Sequence, residues 1–145
     1  MDTHRKFLTA TALTFGAAFT WASAQAPSSS SGIERGSVDG LAFQNGGIGA
    51  EETAQMDRHL RPYDLRLTFS EGRENAYAAG VHVRITDAAG KTVFRLDDAG
   101  PLTDVKVPAG RYRVLADFGG VRRSGMVDVG PGRPADLHLH WSKDA

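Results

Sequence analysis

Two histidines one residue apart, His138 and His140, carry the clearest chemical signal in this chain. Side chains alternate along an extended strand, so both imidazoles project from one face about 7 Å apart, close enough to bracket a metal ion. Two nitrogens do not complete a zinc or copper site, which takes three or four ligands. A third would have to come from His82, His59 or an acidic side chain. Leu137, Leu139 and Trp141 take the alternate positions, so this strand is expected to bury its apolar side and turn both histidines to solvent. His138 and His140 are thus the candidate metal ligands of an alternative reading, a histidine-based periplasmic copper or zinc binding protein. The principal reading expects no cofactor.

Other residue groups offer less chemistry. Gly46-Gly47-Ile48-Gly49 before a helical pattern resembles a phosphate loop, because open backbone amides at a helix start attract anions. No Lys-Ser/Thr follows it, however, and Glu51 with Glu52 puts negative charge where a phosphate would sit. Asp97-Asp98 lacks the spaced acidic series that supplies calcium with six or more oxygens. Ser124, between Arg123 and Gly125, has no local base, and no Gly-x-Ser-x-Gly elbow occurs. Arg111, Arg113, Arg122 and Arg123 gather around one hairpin and form a small cationic patch that would meet an acidic partner if nearby acids leave it unneutralised. The absence of cysteine excludes thiol catalysis, thiolate zinc sites, structural disulfides and an N-terminal lipidated Cys. An enzyme is not expected.

The elements that must position these residues follow an export pattern. Arg5 and Lys6 precede an uncharged run of 15 residues from Phe7 to Trp21, then Ala22-Ser23-Ala24. This reads as a signal peptide over residues 1–24, cleaved before Gln25, since a membrane span needs roughly 20 apolar residues. The protein is therefore expected in the periplasm or secreted, without a transmembrane anchor after processing. With 17 Lys plus Arg against 17 Asp plus Glu, the chain is a poor match for nucleic acid. Its expected partner is an envelope protein or a glycan.

Residues 25–35, with four consecutive serines, read as a flexible linker. Residues 36–62 form an N-terminal segment in which Val38, Leu41 and Phe43 make a short strand and Glu51 to Leu60 a short helix. Residues 63–142 form a β-sandwich domain. Within it Tyr63, Leu65, Leu67 and Phe69 alternate with polar residues, as do Val81, Val83 and Ile85, then Thr103, Val105 and Val107, and Tyr112, Val114, Ala116 and Phe118. Seven short strands separated by turn residues predict an all-β, seven-stranded antiparallel sandwich with a short N-terminal helix. Tyr112, Phe118 and Trp141 are expected in its core.

Asp87-Ala88-Ala89-Gly90-Lys91 followed by Val107-Pro108-Ala109-Gly110-Arg111-Tyr112 resembles the hairpin and Pro-x-Gly-x-Tyr corner of carboxypeptidase regulatory-like and transthyretin (prealbumin)-like domains. With Gly46 to Glu52 and the closing Leu137 to Trp141, nearly the whole processed chain is similar to small exported bacterial proteins of that group. The resemblance implies an immunoglobulin/prealbumin-like fold, with Gly110 at a positive φ and the Tyr112 hydroxyl satisfying a backbone group. Such folds host unrelated roles. Hydroxyisourate hydrolases share the prealbumin-like fold but carry a C-terminal Tyr-Arg-Gly-Ser signature. Here His140-Trp141-Ser142 stands instead, so the resemblance implies an exported, non-catalytic module with a binding or structural role in the cell envelope.

Overall fold

The computed structural model describes residues 32–142. The expected signal peptide and residues 25–31 of the expected linker lie outside them. The described residues run through ten strands and one helix: β1 (Glu34–Val38), β2 (Leu41–Gly46), α1 (Gly49–Arg58), β3 (Leu65–Glu71), β4 (Ala76–Tyr77), β5 (Val81–Thr86), β6 (Thr92–Ala99), β7 (Leu102–Val105), β8 (Gly110–Phe118), β9 (Val121–Val129) and β10 (Ala135–Trp141). They form two sheets packed face to face in a sandwich-like arrangement. One has the order β1-β2-β7-β3-β10, with β4 continuing the β7 side of β3; the other has the order β6-β5-β8-β9.

Period-two alternation sets which side chains meet between the layers. Leu65, Leu67 and Phe69 from the first sheet are fully buried with Val81, Ile85, Phe94 and Val114 from the second. Phe43 and Phe94 join the layers edge to face, with ring centroids 5.7 Å apart. At the β9–β10 edge, Trp141 packs against Phe69 and Phe118 and donates its indole N–H to the Val121 carbonyl at 2.9 Å. Tyr112 and Trp141 are core residues, whereas Phe118 is only half buried.

Three features differ from the expected seven-stranded antiparallel sandwich. The N-terminal segment holds a β1–β2 hairpin that begins at Glu34, within the stretch expected to be linker. Its turn is Asp39-Gly40, both residues at positive φ (50° and 83°). This is the Asp-Gly signature of a two-residue hairpin, and β1 escapes the alternation test because it is an exposed edge with little apolar content. The second feature is the two-residue β4. The third is that β10 runs parallel to β3, with Leu137 beside Leu67 and Leu139 beside Phe69. Alternation is the same for either strand direction, so only the packing decides this.

The Pro-x-Gly-x-Tyr corner is as expected. The Tyr112 hydroxyl donates to the Pro108 carbonyl at 2.6 Å, and burial holds its phenol above the ordinary tyrosine value. Gly110 has a positive φ of 159°, a conformation that a side chain would strain although a Cβ there would meet nothing closer than 3.7 Å.

The helix lies on the outer side of the larger sheet. Met56 is fully buried beneath it, and its carbonyl accepts a hydrogen bond from Gln44 Nε2 at 3.2 Å. Register places Gln44, Asp104 and Arg66 side by side across β2, β7 and β3. Arg66 grips Asp104 through Nε at 2.8 Å and Nη2 at 3.1 Å, and its third nitrogen, Nη1, reaches Asp57 of the helix. Burial opposes the charge on this guanidinium, but hydrogen bonds to Asp104 and Asp57 outweigh it and raise the Arg66 pKa. No helix among the described residues is long and apolar enough to cross a membrane.

Candidate functional site

The histidine pair sits on the outer side of the larger sheet, beside the area covered by α1. His140 is opposite Ser70 and His138 opposite Thr68 in the parallel register of β10 with β3. Ser70, only 1% exposed, lies between the two imidazoles, with Oγ 2.6 Å from His138 Nε2 and 2.8 Å from His140 Nδ1. A hydroxyl carries one proton and two lone pairs, so Ser70 can bond both rings at once, accepting an N–H from each or donating to one, as the imidazole tautomers dictate. The rings are held nearly perpendicular, 6.5 Å apart. On the other side of β3, Tyr77 of β4 is opposite Ser70, so the two side chains share a face.

Ser70 is missing from any reading of local motifs. It becomes a neighbour of His138 and His140 only through the pairing of strands 68 and 70 residues apart. A serine within reach of imidazole is the arrangement that activates a nucleophile in acyl transfer. Here the oxygen is buried and has a ring on each side, a geometry that orders the imidazoles and gives a substrate carbon no approach. The ring nitrogens left for a ligand are His138 Nδ1 and His140 Nε2.

The remaining expected ligands stand elsewhere. His59 ends α1 with Nδ1 2.8 Å from the Gln55 carbonyl, and His82 lies on the smaller sheet 3.9 Å from Asp97. Among the described residues, no three His, Asp or Glu side chains converge as a metal site. Two nitrogens support weak coordination only. Calorimetric titration with Cu(II) and Zn(II) should therefore show dissociation constants no tighter than micromolar, abolished in the His138→Ala/His140→Ala variant. A nanomolar site lost in that variant would reveal a third ligand.

The glycine-rich stretch before α1 is occupied from within. The Glu52 carboxylate accepts the Ile48 N–H at 2.9 Å and the Gly32 N–H at 2.6 Å, taking the position an anion would seek.

The outer face of the smaller sheet is the second candidate. The expected patch of Arg111, Arg113, Arg122 and Arg123 is rearranged there. Arg111 and Arg122 are neutralised in two-pronged ion pairs with Asp128 and Asp117, and hydrogen bonds from those guanidinium groups hold both carboxyls below their ordinary pKa. Arg123 is opposite the inward Ala116 on β8, and its half-buried side chain has an Nε without a hydrogen-bond partner among the described residues. Arg113 stays on the outer face, and β5 and β6 add Arg84 and Arg95, directly opposite one another. Arg84, Arg95 and Arg113 have no hydrogen bond or ion pair among the described residues. Arg84 acts on Asp117 only through its field. Outward alternation with Val83 and Ile85 made Arg84 legible, but its meeting with Arg95 depends on the bulged pairing of β5 with β6.

Compared with known proteins, the chain matches no family model, no curated protein and no solved structure.

Proposed function

We propose that this chain is an exported, non-catalytic binding module of the cell envelope, built on a carboxypeptidase regulatory-like or prealbumin-like sandwich, and that it engages its partner through the outer face of β6, β5, β8 and β9. One contrast carries the reading. The larger sheet has α1 over part of its outer side, whereas the smaller sheet presents three arginines with no acidic partner among the described residues. Arginine is costly to leave unmatched beside its own kind and is suited to planar, two-pronged recognition of carboxylate or phosphate. The signal-peptide pattern of residues 1–24, Arg5-Lys6 before an uncharged run and Ala22-Ser23-Ala24, supports a location in the periplasm or outside the cell.

Two measurements test this. N-terminal sequencing of the protein from a periplasmic or secreted fraction should begin at Gln25; an intact Met1 in the membrane pellet would overturn export. Arginine labelling with phenylglyoxal, read by mass spectrometry, should show Arg84, Arg95 and Arg113 protected when the protein is mixed with envelope extract. Unchanged labelling at all three would remove this face as the binding surface.

A further inference from the structure

We infer that the outer face of the smaller sheet binds an acidic glycan, a sugar chain bearing carboxylates, laid across β6, β5 and β8 over Arg95, Arg84 and Arg113; this rests on the binding-module reading and names its ligand. Cβ atoms directly opposite in an antiparallel pair are about 5 Å apart, and like charges there repel. Arg84 and Arg95 are so placed. Arg113 is opposite Thr86, two residues further along β5, and so lies diagonally from Arg84 on the same face. The same face shows how it treats arginines meant to be internally matched: Arg111 and Arg122 each hold a carboxylate with two hydrogen bonds. Three unmatched guanidinium groups in a row fit a ligand that brings carboxylates at successive positions, each met by a planar fork.

The surroundings favour a sugar chain over other polyanions. Arg84 and Arg95 line a shallow trough together with His82, Asp97, Asp117 and Leu115. Leu115, half buried between Arg84 and Ser124, offers an apolar floor to the C–H face of a sugar ring. Asp97 and Asp117 offer acceptors to its hydroxyls. These acids oppose a flat anionic bilayer or a polyphosphate chain, which would press negative charge onto Asp97, Asp117 and Asp128 together. The balanced charge of the chain also supplies no long-range attraction for nucleic acid.

The test is titration of the purified protein with an oligogalacturonate, with a neutral oligosaccharide of equal length, and with phosphatidylglycerol vesicles. The oligogalacturonate should bind, more weakly as salt rises, the neutral oligomer should not, and the vesicles should bind at least about tenfold less tightly. The Arg84→Ser/Arg95→Ser variant should lose at least about tenfold in glycan affinity. Its melting temperature should stay level or rise, since the facing charges are gone. A melting temperature that falls with the affinity would make the pair part of the scaffold and overturn the inference, as would vesicle binding equal to glycan binding. If the oligogalacturonate does not bind while envelope extract still protects these arginines from phenylglyoxal, the ligand assignment falls and the binding face stands. If neither occurs, both fall.

Discussion

Replacing Arg66 with methionine should lower the stability of the fold by about 3–5 kcal/mol, the range observed when one member of a buried ion pair is removed. Asp104 is completely buried, and Arg66 supplies two of its hydrogen bonds, the third coming from Gln44 Nε2 at 2.7 Å. Methionine fills a comparable volume, so the loss would report the stranded carboxylate and not a cavity. The helix should loosen as well, because Arg66 also ties Asp57 to the sheet. Chemical denaturation checks the first effect and amide exchange over Gly49–Arg58 the second. The double change Arg66→Met/Asp104→Leu should recover most of the loss, since apolar replacements of a whole buried pair are often neutral. A loss under about 1 kcal/mol in the single variant, the level of a surface ion pair, would show that the Asp104 carboxylate is reached by water.

Trp141→Ala should cost a similar amount, about 3–5 kcal/mol, for a different reason. The indole is 4% exposed and contacts Phe69 within its own sheet and Phe118 of the other. Its removal leaves a large void where β9 and β10 come together. Trp141→Phe should retain most of the stability, because the hydrogen bond it loses goes to the carbonyl of exposed Val121, which water can serve. The consequence reaches the histidine pair: β10 carries His138 and His140, so its loosening should free both rings from Ser70. Imidazole chemical shifts followed in the alanine variant would show this, and unchanged shifts with unchanged stability would refute the docking of β10 on β3.

Much of the layer structure was legible because strand alternation reports exposure directly. Leu65, Leu67 and Phe69, or Val81, Val83 and Ile85, stand on one side of their strands for geometric reasons alone, and that side is buried. The turn at Asp87 was legible for the same local reason, its carboxylate accepting the Ala89 and Lys91 amides. The helix carried its own signal and begins two residues earlier than expected. The expectation of one short strand through Val38, Leu41 and Phe43 missed the hairpin turn at Asp39-Gly40, since an exposed polar edge strand has no hydrophobic face to betray it.

The partners of the candidate residues belong to another level. Alternation shows that Arg66, Ser70, His138 and His140 point away from the core, but it is silent on which strands are neighbours, in what direction and in what register. Those depend on how the two apolar faces close over one another as a whole. That closure makes β10 a parallel neighbour of β3 and sets Ser70 between two imidazoles. Strand order likewise brings Asp104 to Arg66, and the bulges between β5 and β6 set Arg84 against Arg95. The residue types and their outward faces were thus determined locally by a repeat of two, while every pairing that gives them chemistry was decided by packing between strands far apart in the chain.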